Sequence, residues 1–323
     1  MSYKTPLISI VMLNYNGLKY LKRTIPPILK LDYPNYEFII IDNGSTDGSI
    51  EFIKNFKEIK LIKSPKLREK NFACNYAIDR AKGEFIFLMD NDALITQKDL
   101  LKDLIIFYKN NNNVGVIGLS YNDEGNKSSK SYGSYLGYYF IKEQKEVKND
   151  DIKKVSGTQI VYPEGKGFLI KKSIWKELGG YDDHLIFGGD DNDLGIKLWL
   201  MGYKNYLYSK TIQIHLGLPE RQDNKKYKIK FKEMFYAHLY TIVKDYRLPN
   251  MFITLIGLTI FSFLKSIKQS VFRLNFGPFF AFFKGYYLFL KNLSIALQKR
   301  KEIQLKRVVK EDIFLKIKPP KFN

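Results

Sequence analysis

Glu84-Phe85-Ile86-Phe87-Leu88-Met89-Asp90-Asn91-Asp92 is an apolar run that stops on two carboxylates spaced i, i+2. Such a run is too short for a helix and apolar at every core position, which predicts a strand buried on both faces. The same form recurs upstream. Ile8 to Leu13 is apolar and ends in Asn14-Tyr15-Asn16-Gly17, and Phe38 to Ile41 ends in Asp42-Asn43-Gly44-Ser45-Thr46-Asp47-Gly48-Ser49. Leu61-Ile62 reads as a short third strand. Between these runs the spacing predicts helices: Leu18 to Leu31, with Pro26-Pro27 as an irregularity; a helix capped by Thr46 or Asp47 and running to Phe56; and Asn71 to Ala81. Alternating strands and helices with unbroken apolar strands predict an α/β fold, a mixed but mostly parallel sheet flanked by helices. Ligands of such sheets sit beyond the carboxyl ends of the strands. Asn14, Tyr15, Asn16, Asp42, Asp90, Asn91 and Asp92 all fall there.

Further along, a helix is expected from Asp99 to Asn110 and a strand over Val114–Gly118. Residues 121–156 are polar and then charged, which suggests a hairpin or mobile excursion. Gly165 to Ile170 resumes as a strand, and Trp175 to Leu178 is helical and closes on Gly179-Gly180. Asp190-Asp191-Asn192-Asp193 precedes a helix from about Leu194 to Met201, and Ile212 to His215 is a short strand. With 45% hydrophobic and 15% aromatic residues the chain can build one large core, or a domain of about 200 residues plus an appendage. The one cysteine, Cys74, rules out a disulfide framework, makes a reducing compartment the default, and sits in an apolar stretch as a core residue. Met1 to Pro6 leads into a strand without a signal-peptide pattern.

Two carboxylates at a strand end, Asp90 and Asp92, suit a divalent cation with hard oxygen ligands, although an isolated Asp-x-Asp is also a common turn or cap. Asp42 is placed either to accept the N3 proton of a pyrimidine base or to close an Asx turn. Asp190 and Asp191 sit at or before a helix start, where one cap would suffice. Three Asp in four residues crowd like charge, which a cation, substrate hydroxyls or a raised pKa would relieve. His215, at a strand end after both clusters, is positioned as a third metal ligand through neutral imidazole; His184 and His238 have no such context. Gly165 and Gly167 either admit a ligand to the backbone or simply close a loop.

These motifs, in this order, resemble family 2 glycosyltransferases, with the rhamnosyltransferase-like branch the nearest in pattern. The match spans about residues 6–218: Ile-Ser-Ile-Val followed by Asn-Tyr-Asn-Gly, then Ile-Ile-Ile-Asp-Asn-Gly-Ser-Thr-Asp-Gly-Ser, Phe-Leu-Met-Asp-Asn-Asp, and Gly-Gly-Tyr-Asp-Asp ahead of Asp-Asp-Asn-Asp-Leu-Gly-Ile-Lys. The resemblance implies a GT-A fold and inversion at the anomeric carbon of a nucleoside diphosphate sugar, UDP- or dTDP-linked, with Mn²⁺ or Mg²⁺. It makes Asp42 the base-recognising residue, Asp92 a metal ligand, and Asp90 a ribose or metal-shell contact. Asp191 becomes the catalytic base beside Asp190, and His215 holds the metal–diphosphate. Asn14, Tyr15, Asn16, Asn71 and Asn91 complete the expected donor-binding set. Two departures stand out: Lys197 occupies a place usual for arginine, and Cys74 precedes Asn75 where many members have arginine, so Lys70 is the cation expected to meet the diphosphate.

The C-terminal third differs in kind. Residues 219–323 carry 22 Lys and Arg against 7 Asp and Glu, a net +15 of the chain's +20. Leu248 to Leu264 is uncharged and Phe276 to Leu290 is aromatic and apolar, with basic residues around both. This predicts a catalytic domain over 1–218 and a basic, amphipathic helical region over 219–323. That region is expected to lie in the interface of the cytoplasmic membrane face rather than to span it. A helical extension packed on the catalytic domain, or a dimer partner, is the alternative. No nucleic-acid reader motif accompanies the charge. The expected acceptor is a lipid-linked glycan or cell-surface polysaccharide. The rival readings are a sugar-phosphate nucleotidyltransferase, which lacks its Gly-rich phosphate loop here, and an inactive family member acting as a membrane-bound assembly partner.

Overall fold

The computed structural model describes residues 5–125, 130–131, 133–137, 142–143, 152–185, 188–217 and 224–320. In chain order the elements are β1 (Ile8–Asn14), α1 (Leu18–Ile28), β2 (Tyr36–Asp42), α2 (Ser49–Ile53), β3 (Ile59–Lys63), α3 (Lys70–Arg80), β4 (Phe85–Asp90), β5 (Ala93–Leu94), α4 (Leu100–Lys109) and β6 (Val114–Asp123). Then follow β7 (Lys130–Ser131), β8 (Tyr135–Leu136), β9 (Lys142–Glu143), β10 (Phe168–Lys171), α5 (Lys172–Leu178), α6 (Asp190–Leu200) and β11 (Lys204–His215). The chain continues with α7 (Asn224–Asp245), α8 (Leu248–Phe272), α9 (Gly277–Lys291) and α10 (Leu293–Lys306). Much of the 121–156 segment, and the expected boundary at 218/219, lie outside the described residues.

The sheet runs β3-β2-β1-β4-β10-β6-β11-β5, with β7 beside β6. β1 pairs in parallel with β2 and β4, and β6 with β11. Strand periodicity divides the apolar runs between two cores. Ile8, Ile10, Met12, Phe38, Ile40, Phe85 and Phe87 face α1 and α4, while Val11, Ile39, Ile41, Ile86 and Leu88 face α3, α5 and α6. Burial on both faces is why these strands are apolar along most of their length. Pro26 and Pro27 lie within the last turn of α1, where their missing N–H groups remove i−4 hydrogen bonds, and the helix ends at Ile28.

Two antiparallel insertions shape the site. β10 enters between β4 and β6 running the other way, so its first residue, Phe168, lies opposite Leu88 and Gly118. The Gly165–Gly167 loop thereby reaches the carboxyl end of β4. β5 pairs with the end of β11, Ala93 opposite His215. β11 is far longer than the Ile212–His215 strand expected, because its first half is paired along β6. α6 begins at Asp190, not near Leu194. Gly188 and Gly189 take left-handed φ of 74° and 83°, a turn that only glycine makes cheaply, and the Asp193 N–H bonds to the Gly189 carbonyl to open the helix.

Gly195 is a helix-interior glycine with a packing reason. A Cβ there would lie 2.3 Å from Tyr162 Cβ and 2.5 Å from the Val161 carbonyl oxygen. Asn205 Nδ2 donates to both the Val161 and Gly195 carbonyls, locking that approach. Gly195→Ala is therefore expected to destabilise the protein by about 1–3 kcal/mol despite alanine's better helix propensity, read as a lower urea midpoint; a rise in midpoint would refute the contact.

Helix α7 packs against the outer face of α6, and α8, α9 and α10 pack in turn on α7. Ile196, Trp199 and Leu200 share a core with Phe235, Tyr240, Val243 and Tyr246. α8 reverses the usual amphipathic order. Its buried positions include Thr254, Ser262, Ser266 and Ser270, whereas Phe252, Ile256, Ile260, Leu264 and Val271 are exposed. By length and composition α8 is long and apolar enough to cross a membrane.

Candidate active site

Asn14 joins the loops after three adjacent strands. Its Nδ2 donates to Asp42 Oδ1 at 3.0 Å and to Ser45 Oγ, and its Oδ1 accepts from Asn91 Nδ2 at 2.7 Å. Gly17 permits this, since a Cβ there would sit 1.9 Å from Asn91 Nδ2. Asp42 is 2% exposed, and its Oδ2 accepts from the Gly44 and Ser45 N–H groups, each at 3.0 Å. Of the two expected uses of Asp42, the Asx turn is thus present. Asn16, at φ 46°, accepts from the Thr46 N–H through Oδ1, while Tyr15 stays exposed with the Arg68 guanidinium 5.7 Å from its ring. Asp47 joins two helix starts, accepting from the Leu18 and Ser49 N–H groups. Burial pushes its carboxyl up, but these bonds outweigh it and hold the group below its ordinary value.

The β5–β11 pairing brings Asp92 to His215, with Oδ2 and Nε2 3.2 Å apart. On the other side of the ring Nδ1 meets Asp123 Oδ1 at 2.6 Å. Burial opposes charge on the imidazole, but the two carboxylates raise its pKa above the usual value. With Nδ1–H donating to Asp123, the Nε2 lone pair faces a carboxylate oxygen, an arrangement that a proton or a cation between them resolves. A Cβ on Gly217 would lie 2.6 Å from Asp92 Oδ2 and 2.8 Å from His215 Nε2, so glycine keeps that space open. Among the described residues no three His, Cys, Asp or Glu side chains cage a metal by themselves. One carboxylate and one imidazole nevertheless fit a divalent ion whose remaining ligands are phosphate oxygens and water. Asp123 was not singled out from sequence; only its register opposite His215 reveals it.

At the start of α6, Asp190 Oδ2 pairs with Lys70 Nζ at 2.8 Å. Asp191 accepts from the Gly165 N–H at 2.8 Å and from the Tyr181 hydroxyl at 3.1 Å. Burial, then Asp190 and Asp90, push the Asp191 carboxyl up to about 7, against the pull of Lys70 and Tyr181. Asp90 rises to about 6, by burial and then by Asp92 and Asp190. Burial works against the Lys70 ammonium, but Asp190, Asp90 and Asp191 keep it firmly protonated. Asp90, Asp190, Asp191 and Lys70 thus form one electrostatic cluster. Gly165 serves chiefly to orient Asp191 through its N–H, and Gly167 makes room for Gln213.

Three residues lie apart from this cluster, and of them only Asn71 carried an expected donor-site role. Asp193 turns away from this cluster to pair with Lys197 at 3.0 Å and with Lys244 of α7. Lys197 is 4% exposed and donates to the Gly180 carbonyl, so it faces the protein interior and not a diphosphate. Asn71 is 3% exposed, with its amide nitrogen donating to the Asp182 and Leu185 carbonyls. Of the expected donor-binding residues it is the one directed into the loop ahead of α6. Cys74 is buried, and burial pushes its thiol far up, consistent with a core role. A cavity of about 670 Å³ opens beside Asp191, Asp90 and Lys70 and extends to the C-terminal helices.

The model of glycosyl transferase family 2 matches residues 9–179, more than half of the chain. An uncharacterised glycosyltransferase of Haemophilus influenzae is 39% identical over 109 residues, covering 32% of this chain and 44% of that protein. The poly-beta-1,6-N-acetyl-D-glucosamine synthase of Staphylococcus epidermidis is 28% identical over 201 residues, covering 61% and 47%. The chain spans about half the length of the curated relatives it matches. A mannosyltransferase of Pyrobaculum calidifontis, solved with GDP-Man and Mn²⁺, superposes with a TM-score of 0.58 over 98% of this chain and 86% of that one, at 17% identity. At that identity the likeness speaks for the fold, which is that of GT-A enzymes.

Proposed function

This chain belongs to glycosyl transferase family 2, and from that premise we propose that it is an inverting, metal-assisted transferase moving a sugar from a nucleoside diphosphate to an acceptor hydroxyl. The observation that carries the proposal is the convergence, at one end of a single cavity, of Asp191 with Asp90 and Lys70. A carboxyl raised to about 7 by burial and by Asp190 is suited to a base working near neutral pH. The acceptor oxygen bonds to the anomeric carbon as the bond to the diphosphate oxygen breaks, and Asp191 takes the hydroxyl proton. Gly165 and Tyr181 aim the carboxylate, and a single displacement inverts the centre. Lys70 offers a cation to the diphosphate. Asp92 and His215 would hold the divalent ion, Mn²⁺ or Mg²⁺, with Asp123 orienting the imidazole. When bound, that ion neutralises charge developing on the leaving diphosphate. Tyr15 and Arg68 border the loop expected to meet the nucleotide base, where Asp42 serves as its anchor.

Membership of this family sets the nucleotidyltransferase alternative aside. The motif order supports a place in the rhamnosyltransferase-like branch with a UDP- or dTDP-sugar donor, and the relatives' names support polysaccharide or lipid-linked glycan synthesis as the setting. Residues 1–218 are the catalytic domain and 219–323 the membrane-associated part in this proposal. The outward Ile, Leu and Phe of α8, over an inward stripe of Ser and Thr, suit a helix bathed in lipid rather than water. We place it at the cytoplasmic face of the membrane.

Calorimetry tests the donor site directly. UDP, dTDP or GDP is expected to bind the wild type more tightly with Mn²⁺ than without, and Asp92→Ala is expected to lose the metal-dependent part. Metal-independent binding, or unchanged binding by the variant, would remove Asp92 from the site.

A further inference from the structure

The cavity beside Asp191 has two unlike halves. Its inner half is polar, with Lys70, Asp90, Glu164 and Asp191 on its walls. Its outer half lies between α7 and α8 and is walled by Phe231, Met234, Phe235, Leu258 and Phe261. A hydrocarbon chain gains from such walls in proportion to the apolar area it removes from water. Phe261 belongs to both surfaces: it lines the cavity and is 41% exposed on the apolar face of α8. The outer half therefore opens where that face presents Ile256, Ile260 and Leu264. A chain lying in a bilayer against α8 would enter without crossing water.

Charge adds a second constraint. Lys230 and Lys265 line this half and are exposed, with the Lys265 ammonium 6.0 Å from the Phe261 ring. His238, which also lines this half, is pushed down to about 4 by burial and by Lys265, so at neutral pH it adds no charge. Among the described residues the α7 and α8 wall of this slot carries Lys230 and Lys265 and no carboxylate, which suits an apolar chain that carries an anionic group.

We propose that this outer half is the acceptor's lipid subsite: an apolar chain lies along Phe231, Met234, Phe235, Leu258 and Phe261, a phosphate meets Lys230 and Lys265, and the attached sugar points its hydroxyl inward to Asp191. The acceptor class is then a glycan joined through phosphate to a membrane lipid, not a free polysaccharide. The proposal rests on the glycosyl-transfer reading above and goes beyond it in naming the acceptor's anchor and the residues that hold it.

The test uses the full chain with dodecyl phosphate, below its micelle concentration, as the probe. Dodecanol and inorganic phosphate separate the contributions of chain and charge. The wild type is expected to bind dodecyl phosphate at least tenfold more tightly than either control. Met234→Trp, which fills the slot, and Lys265→Glu, which reverses the charge at its mouth, are each expected to weaken it tenfold or more. Phe261→Asp alters an exposed side chain and gives a third variant less able to disturb folding. Nucleotide binding, read on the same samples, is the folding control. Binding to vesicles of phosphatidylcholine and phosphatidylglycerol distinguishes slot from surface: Met234→Trp is expected to keep it while losing the probe. Equal probe binding by Met234→Trp and wild type, or no preference over the two controls, would overturn the subsite. Absence of nucleotide binding by the wild type, with the probe still bound, would instead overturn the donor-site reading and leave the slot standing.

Discussion

Asp191→Asn is expected to lower kcat by about 10²–10⁴-fold, the usual contribution of a positioned base, while nucleotide binding persists. The asparagine keeps the size of the side chain and can still accept from the Gly165 N–H, but it cannot take a proton. The pH profile carries an independent signature. Because the carboxyl is pushed up to about 7, its basic form is scarce below neutrality and becomes dominant above it. Wild-type kcat/KM should therefore climb as pH rises through 7 and level off beyond, and the variant should lack that limb. The Tyr181 hydroxyl donates to Asp191 and favours the charged form, so Tyr181→Phe should move the limb to higher pH. Release of nucleoside diphosphate from a donor, followed between pH 5 and 9, measures all three. A variant within about tenfold of wild type would remove Asp191 from proton transfer.

Lys244→Ala should destabilise the protein more than Gly195→Ala does, by about 3–5 kcal/mol, the cost of leaving a buried charge without its partner. That is a large share of the ~5–15 kcal/mol by which domains are stable. Lys244 is 1% exposed, pairs with Asp182 Oδ2 at 3.0 Å, and bonds also to Asp193. Asp182 receives Lys299 of α10 as well. Burial alone would raise the Asp182 and Asp193 carboxyls, but the surrounding lysines hold both below their ordinary range. The neighbouring Asp245 has the opposite fate, with burial pushing it well up. Asp182 and Asp193 flank the start of α6, so this network ties the helix carrying Asp190 and Asp191 to α7 and α10. Chemical denaturation of wild type, Lys244→Ala and Lys244→Ala/Asp182→Asn provides the check. The double variant should recover part of the loss, since it removes one stranded charge. A single-variant loss below about 1 kcal/mol would mean the network is better hydrated than its burial implies.

Much of the fold was legible because its determinants are local. An apolar run that ends on Asn or Asp announces a buried strand and its carboxyl end, whatever lies elsewhere in the chain, and three such runs place the site. Helix boundaries were less legible where glycine decided them: α6 starts four residues early because Gly188 and Gly189 turn the chain left-handed. The inverted faces of α8 were hidden for a related reason. Its residues are nearly all apolar or small, and composition cannot say which side is covered.

The sequence by itself determined the alternation of strands and helices, the positions of the acidic clusters, and the family pattern those clusters carry. What each carboxylate does was decided by tertiary structure. Within Asp190-Asp191-Asn192-Asp193, successive side chains point in different directions around a helix. Asp190 meets Lys70, Asp191 meets Gly165 and Tyr181, and Asp193 meets Lys197 and Lys244. Asp92, Asp123 and His215 come together only through pairing of β11 with β5 and β6. Propensity and periodicity act over a few residues, whereas a carboxylate's pKa and partners depend on burial and on charges that the fold draws from distant parts of the chain.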